Sequence, residues 1–158
     1  MSWIVRDMEP ADAVWIWNII QDSLGYECRL ETVRDRLVYL CHKPGNRVFV
    51  VMENGTGRIG GFLHAADYEV IYSGSMKNIV ALAVDPSLQG QGLGKQLLSA
   101  VEAWAQECHC IAVRLVSSTV RVQAHAFSQH CGYDLRKEQK NFIKYCELSP
   151  TEGLIPSV

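Results

Sequence analysis

The sequence predicts a mixed α/β fold, with a mainly antiparallel central sheet and helices on both of its faces. Three observations carry that expectation. Segments of helical period alternate with β-branched and aromatic runs in the order strand, two helices, several strands, then strand, helix, strand, helix, strand. Two of the runs flank an Asn-Gly turn, the signature of an antiparallel hairpin. A glycine-rich turn joins a strand to the longest amphipathic pattern in the chain. With 158 residues, 48% of them hydrophobic, the chain is expected to form one domain over residues 1–158. Pro150, Gly153 and Pro156 make an irregular tail of 148–158.

Taken in order, residues 3–8 form the first strand, and Glu9-Pro10-Ala11-Asp12 turns the chain into a helix with Ala13, Ile16, Trp17, Ile20 and Leu24 on its apolar side. Gly25 closes it. A second helix sets Leu30, Val33, Leu37 and Cys41 on one stripe before Pro44-Gly45-Asn46 breaks the pattern. Arg47–Met52 and Ile59–Ala66 are the arms of the hairpin, and a further strand spans Asn78–Val84. The connection Asp67–Lys77 fits either a strand extension or a loop. Leu93, Leu97, Val101, Trp104 and Cys108 then mark the long helix. Ile111–Val116 alternates as a strand, Val120, Ala124, Phe127 and Cys131 give a short helix ended by Gly132, and Tyr133–Cys146 has room for two more strands.

Charge excludes several functions. Fifteen Lys and Arg against seventeen Asp and Glu leave a net charge of −2, so no cation excess is available for a phosphate backbone, and nucleic acid is not an expected partner. Arg6, Asp7, Glu9 and Asp12 interrupt any signal-peptide core, and no run approaches the roughly 18 apolar residues of a membrane span. A cytoplasmic protein without a membrane partner is expected. In that compartment the six cysteines are reduced thiols. Cys108-His109-Cys110 lacks the second ligand pair of a structural zinc site, so no metal is expected.

The glycine turn carries the most chemistry. Val84-Asp85-Pro86-Ser87-Leu88-Gln89-Gly90-Gln91-Gly92-Leu93-Gly94-Lys95 leads from a strand into a helix and leaves backbone N–H groups uncovered at the helix N-terminus, an arrangement that binds phosphate. A dinucleotide fingerprint begun at Gly90 needs glycine where Lys95 stands. A Walker loop ending at Gly94-Lys95 needs Ser or Thr at Gln96 and glycine at Gln89. Both fail. What remains is Q-x-x-G-x-G, carried by Gln89, Gly92 and Gly94 after a Leu-Ala-Val-Asp-Pro strand, and followed by Ala124, Ala126, Phe127, Gly132 and Tyr133 on and after the last helix. With these motifs, residues 3–147 resemble the GNAT superfamily of N-acetyltransferases, in particular its bacterial small-molecule members.

That resemblance implies a GNAT-type sheet and acetyl-CoA as co-substrate. It implies that Leu82, Ala83 and Val84 pair with the pantetheine arm. Gln89, Gly90, Gln91, Gly92, Leu93, Gly94 and Lys95 would hold the pyrophosphate, with Arg121 as a further cofactor contact. Independently, glycine permits close backbone approach, and the helix dipole favours an anion.

Acyl transfer to an amine needs a deprotonated amine, a polarised carbonyl and a proton for the leaving thiolate. Many family members carry a carboxylate where this chain has Asn78, or a glutamate where it has Val116, and a leaving-group tyrosine where it has Ser128. Asn78, His125 and Ser128 are therefore the candidate catalytic residues, with Arg121, His125 and Ser128 on one helical stripe. His64 on the hairpin is another candidate base. Without a tuned carboxylate, the rate is expected to climb with pH until the amine itself titrates. Tyr26, Glu27 and Glu31 sit at the connection between the first two helices, which in the family selects the acceptor, and they point to a small cationic amine. The expected activity is direct acetyl transfer from acetyl-CoA to such an amine, with a homodimer left open. The alternatives are a non-catalytic acyl-CoA sensor and a protein N-terminal or lysine acetyltransferase.

Overall fold

A computed structural model describes residues 2–147; the expected irregular tail, 148–158, lies outside them. The described residues fall into two units, the first running to Val116 and the second beginning at Ser117.

The first unit is built on five strands, β1 (Trp3–Asp7), β2 (Asn46–Glu53), β3 (Ile59–Tyr68), β4 (Met76–Val84) and β5 (Ala112–Leu115), side by side in sequence order. The first four pair antiparallel and β5 joins β4 in parallel. Period-two alternation sorts their side chains. Val48, Val50, Phe62 and Ala83 face α1 (Ala13–Ile19) and α2 (Leu30–Cys41), where Ile16, Ile19, Val33 and Leu37 complete a core. On the opposite face Phe49 meets Trp104 of α3 (Leu93–Glu107) edge to face at 6.3 Å, and Leu93, Leu97, Leu98 and Val101 are fully buried. Leu93, Leu97, Val101 and Trp104 are the positions read from the helical spacing; Leu98 joins them in the core, and Cys108, also expected on the stripe, is exposed past the helix end. Truncating any of these leucines to alanine costs about 2–5 kcal/mol.

α1 does not stop at Ile19. A single π-helical turn, Ile20–Leu24, prolongs it until Gly25, at φ +72°, ends the segment. The entry is held by Asp12, which is buried, accepts two hydrogen bonds from the Arg6 guanidinium at 2.8 and 3.0 Å, and caps the Glu9 amide at 2.9 Å.

The connection after the hairpin resolves mainly as strand extension. β3 runs on to Tyr68 and β4 starts at Met76, because Lys77 is buried beside Trp104 and pairs with Asp67 directly across the ladder. Burial alone would lower the pKa of Lys77, yet the hydrogen bond and charge of Asp67 outweigh it and hold it raised.

The second unit contains α4 (Val122–His130), which begins two residues later than Val120 and ends before Gly132 at φ +91°. Contrary to the sequence expectation, no strand forms over residues 133–147. Every residue from Asp134 to Glu147 is exposed, and a strand exists only through a paired neighbour, which this charged stretch lacks among the described residues.

Candidate functional site

Two irregularities in the first unit shape the site. In the β3–β4 ladder His64 pairs with Ala81 and Ala65 with Ile79, so Val80 is an extra residue, a β-bulge on β4. β5 pairs with β4 only over Met76–Ile79 and ends at Leu115. From Val80 to Val84, β4 thus keeps β3 on one side and has no strand on the other among the described residues. Leu82, Ala83 and Val84, the residues expected to pair with pantetheine, all lie on this open edge.

The edge leads straight into the glycine turn. Asp85 accepts hydrogen bonds from the Ser87 amide and hydroxyl at 2.9 and 2.8 Å and opens a short 3₁₀ turn, Pro86–Leu88. Burial would raise the Asp85 pKa, but these bonds and Arg58 hold it lowered. Gly60, a bulge residue in the β2–β3 ladder, lets the turn close on the sheet. A Cβ there would stand 2.7 Å from the Trp3 ring and 3.0 Å from both Leu88 and Leu93. Gly90 and Gly92 have φ of +83° and +81°, and nothing lies within 4 Å of where a Cβ would be. Open space and a left-handed backbone together leave the peptide groups accessible.

Gly92 caps α3 without a side-chain hydrogen bond, and the first helical bond runs from the Gln96 amide to the Gly92 carbonyl at 3.1 Å. The amides of Leu93, Gly94 and Lys95 therefore point out of the helix end with no acceptor among the described residues. Lys95 is exposed and makes no ion pair there. The donor set fits an anionic diphosphate: uncovered amides, a helix N-terminus and one cation.

On the face toward α1 and α2, a row of paired residues crosses the sheet: Asn46, Ala66, Asn78 and Arg114. Asn78 Oδ1 accepts from Arg114 Nη1 at 2.8 Å, and the guanidinium lies 4.2 Å from the centre of the Tyr68 ring. Two pairs toward the open edge, His64 Nε2 sits 2.9 Å from Asn46 Oδ1. A carboxamide oxygen only accepts, so Nε2 carries the hydrogen and the Nδ1 lone pair is left as an acceptor. Burial and, second, the charge of Arg36 lower the His64 pKa, so the imidazole is neutral at pH 7.

His64 and Ala81 also line a cavity of about 260 Å³ between the sheet and the two helices. Ile16, Leu37 and Phe62 are among its apolar walls, Tyr26 and Arg36 also line it, and the Arg36 guanidinium lies 4.5 Å from the centre of the Tyr39 ring, outside that lining. Glu27 and Glu31 are not part of this lining; both are exposed, and Glu31 lies 3.6 Å from Arg29.

The remaining expected residues lie in the second unit. Arg121 caps α4 and its guanidinium makes no ion pair among the described residues. His125 Nε2 bonds the Ser118 carbonyl at 2.8 Å, and the Ser128 hydroxyl donates to the Ala124 carbonyl at 2.9 Å. Each is engaged with its own local backbone. His64 was legible only as one base among several; its bond to Asn46 and its place beside the bulge depend on strand register.

Comparison with known proteins agrees with this geometry. The family model "Acetyltransferase (GNAT) family" matches residues 11–133. The chain belongs to that family. A stretch of 51 residues is 41% identical to the aminoglycoside N(6')-acetyltransferase type 1 of Stenotrophomonas maltophilia, covering 32% of this chain and 33% of that one. Another of 75 residues is 31% identical to the uncharacterized protein YdhI of Bacillus subtilis, covering 48% and 47%. These matches span only a third to a half of each relative. Among solved structures, AAC(6')-Iy in complex with the bisubstrate analogue CoA-S-monomethyl-acetylneamine superposes with a TM-score of 0.80 at 17% identity, over 92% of this chain and all of that one, a likeness of fold. Among the described residues no group of three or more His, Cys, Asp or Glu could hold a metal ion, and no helix is long and apolar enough to cross a membrane.

Proposed function

We propose that this protein transfers the acetyl group of acetyl-CoA to a primary amine of a small molecule. The observation that carries the proposal is the β4 edge at Val80–Val84, which has no strand beside it on the β5 side among the described residues and leads into the uncovered amides of Leu93, Gly94 and Lys95. Leu82, Ala83 and Val84 suit the amides of a pantetheine arm, and the turn from Gln89 to Lys95 suits its pyrophosphate.

His64 is the base in this reading. It pairs with Ala81 next to the bulge, so it stands beside the end of the edge where the thioester would arrive. Its Nδ1 takes a proton from the acceptor ammonium, and the freed nitrogen attacks the thioester carbonyl. The C–N bond forms as the C–S bond breaks, and CoA leaves as a thiolate that regains a proton. A neutral imidazole takes up that proton at pH 7, where a free amine alone is rarely deprotonated. Asn78, bonded through its oxygen to Arg114, keeps its NH2 group as a donor for the carbonyl or a water. Ser128 and His125 serve at most as hydrogen-bonding partners, and Arg121 and Lys95 as cations for the cofactor.

The test has two stages. Calorimetry with acetyl-CoA reads binding, and CoA release with a panel of amines reads transfer. Binding without amine-dependent release supports an acyl-CoA sensor instead, the reading that the missing carboxylate and tyrosine favour.

A further inference from the structure

We infer that the acceptor is an apolar monoamine, a single primary amine on an alkyl or aryl body without hydroxyl groups, and that the cavity between α1, α2 and the sheet holds this body. The inference rests on the transfer reading above, and it names the substrate class of that site.

The cavity measures about 260 Å³, room for one ring or a short chain rather than several linked sugar rings. Ile20 and Leu24 from the π-helical turn, Val33 and Leu37 from α2, and Val48 and Phe62 from the sheet give it an almost wholly apolar surface. Single π-helical turns are rare and frequently mark functional sites; this one carries two residues of the wall. A hydroxyl-rich ligand placed there would lose its water without new hydrogen bonds, whereas an alkyl or aryl body gains from the same burial. The lining contains no carboxylate, so a second ammonium further along the ligand would be buried without a counter-charge.

The position of the cavity selects the amine, rather than the acyl group, as the source of that body. On the sheet side the lining includes Ala81, the residue after the Val80 bulge, beside the β4 edge where the thioester would arrive. On the α2 side it includes Thr32 and Arg36, which are exposed, so the cavity opens to solvent there. The Arg36 guanidinium stacks on Tyr39, outside the lining, and adds no charged group to the wall. An acyl chain enters with its cofactor along β4 and needs no second entrance; a separate substrate does. The cavity thus joins solvent to the β4 edge, with the apolar body between the helices and the amine at the Ala81 side.

The experiment measures acetylation by the intact protein of propylamine, butylamine, pentylamine and hexylamine, with hexamethylenediamine and neamine as polar comparisons. Each added methylene is expected to raise kcat/KM by about fourfold until the cavity is full, the value of one buried methylene. The diamine is expected at least about tenfold below hexylamine. Leu24→Trp narrows the cavity and should shorten the best chain, while unchanged acetyl-CoA binding by calorimetry shows that the variant is folded. A chain-length profile identical to that of the original protein in this folded variant places the amine elsewhere and overturns the inference. Hexylamine that binds in calorimetry with the expected length dependence but is not acetylated sustains the ligand class and refutes transfer. Neamine acetylated, with alkylamines that show no dependence on length, sustains transfer and overturns the inference. Octanoyl-CoA preferred over acetyl-CoA, without a length effect among amines, assigns the cavity to an acyl chain and likewise overturns it.

Discussion

His64 Nε2 donates to Asn46 Oδ1 at 2.9 Å, across two antiparallel strands whose register sets His64 two pairs away from the Asn46–Ala66 rung, on the same face of the sheet. This contact selects the tautomer and leaves Nδ1 as the acceptor, the nitrogen that the proposed mechanism uses. A base supplied this way predicts that His64→Ala lowers kcat by about a hundredfold or more, within the 10²–10⁴ range of general base catalysis, while the KM for acetyl-CoA stays near its original value. Steady-state kinetics with both substrates varied checks it.

In the proposed mechanism Asn46 positions His64. Asn46→Leu removes the acceptor and frees both tautomers, and a fall in kcat with a displaced pH profile is expected, whereas a loss of packing alone would leave the profile in place. Arg36→Gln removes a charge that disfavours the imidazolium, so the acid limb of kcat/KM should move to higher pH. The pH dependence of kcat/KM for the three proteins is the measurement.

Stability carries the same signature. The folded pKa of His64 is lowered below the unfolded imidazole value of about 6.5, so the unfolded chain binds the proton first as pH falls. The contribution is fully present above about pH 6.5 and is lost as pH drops through the lower folded pKa. Urea unfolding at a series of pH values should show a slope between pH 7 and 5 that is reduced in His64→Gln.

At the turn, Gly92→Val places a β-branched side chain at φ +81°, a conformation it resists, in the space above the uncovered amides. The dissociation constant of acetyl-CoA should rise by about tenfold or more. Gly90→Ala, with its φ of +83°, should act in the same direction but less. Calorimetry on variants whose circular dichroism matches the original protein tests both.

Ser128 already spends its proton on the Ala124 carbonyl. A thiol with a pKa near 8.5 leaves tolerably without an acid, so Ser128→Ala should lower kcat by at most about a hundredfold. Glu27→Gln with Glu31→Gln should change the amine KM by less than about threefold, since exposed charges contribute little and neither residue lines the cavity.

Much of this architecture was legible in the sequence because it rests on local rules. The Leu93–Val101 stripe, the Asn-Gly hairpin and the glycines at 90 and 92 obey periodicity and backbone sterics, and each stands where spacing placed it. The charges of Glu27 and Glu31 were equally visible, but their direction was not: no local rule says that Arg36, on the next turns of α2, lines the cavity instead. The Val80 bulge, the Asn46–His64 bond and the Asn78–Arg114 pair are products of strand register, which brings together residues far apart in the chain, 36 positions in the last case. Tyr133–Cys146 had room for two strands and forms none, because a strand needs a paired neighbour as well as length.

The central claim is that an acetyl group passes from the β4 edge to an amine. Incubation of the protein with acetyl-CoA labelled in the acetyl carbons, together with a panel of small primary amines, followed by mass spectrometry, tests this most directly. A labelled N-acetyl amine, formed in step with free CoA and strongly diminished in His64→Ala, is the predicted result. Label found only in acetate, or retained entirely in acetyl-CoA with every amine offered, would contradict it.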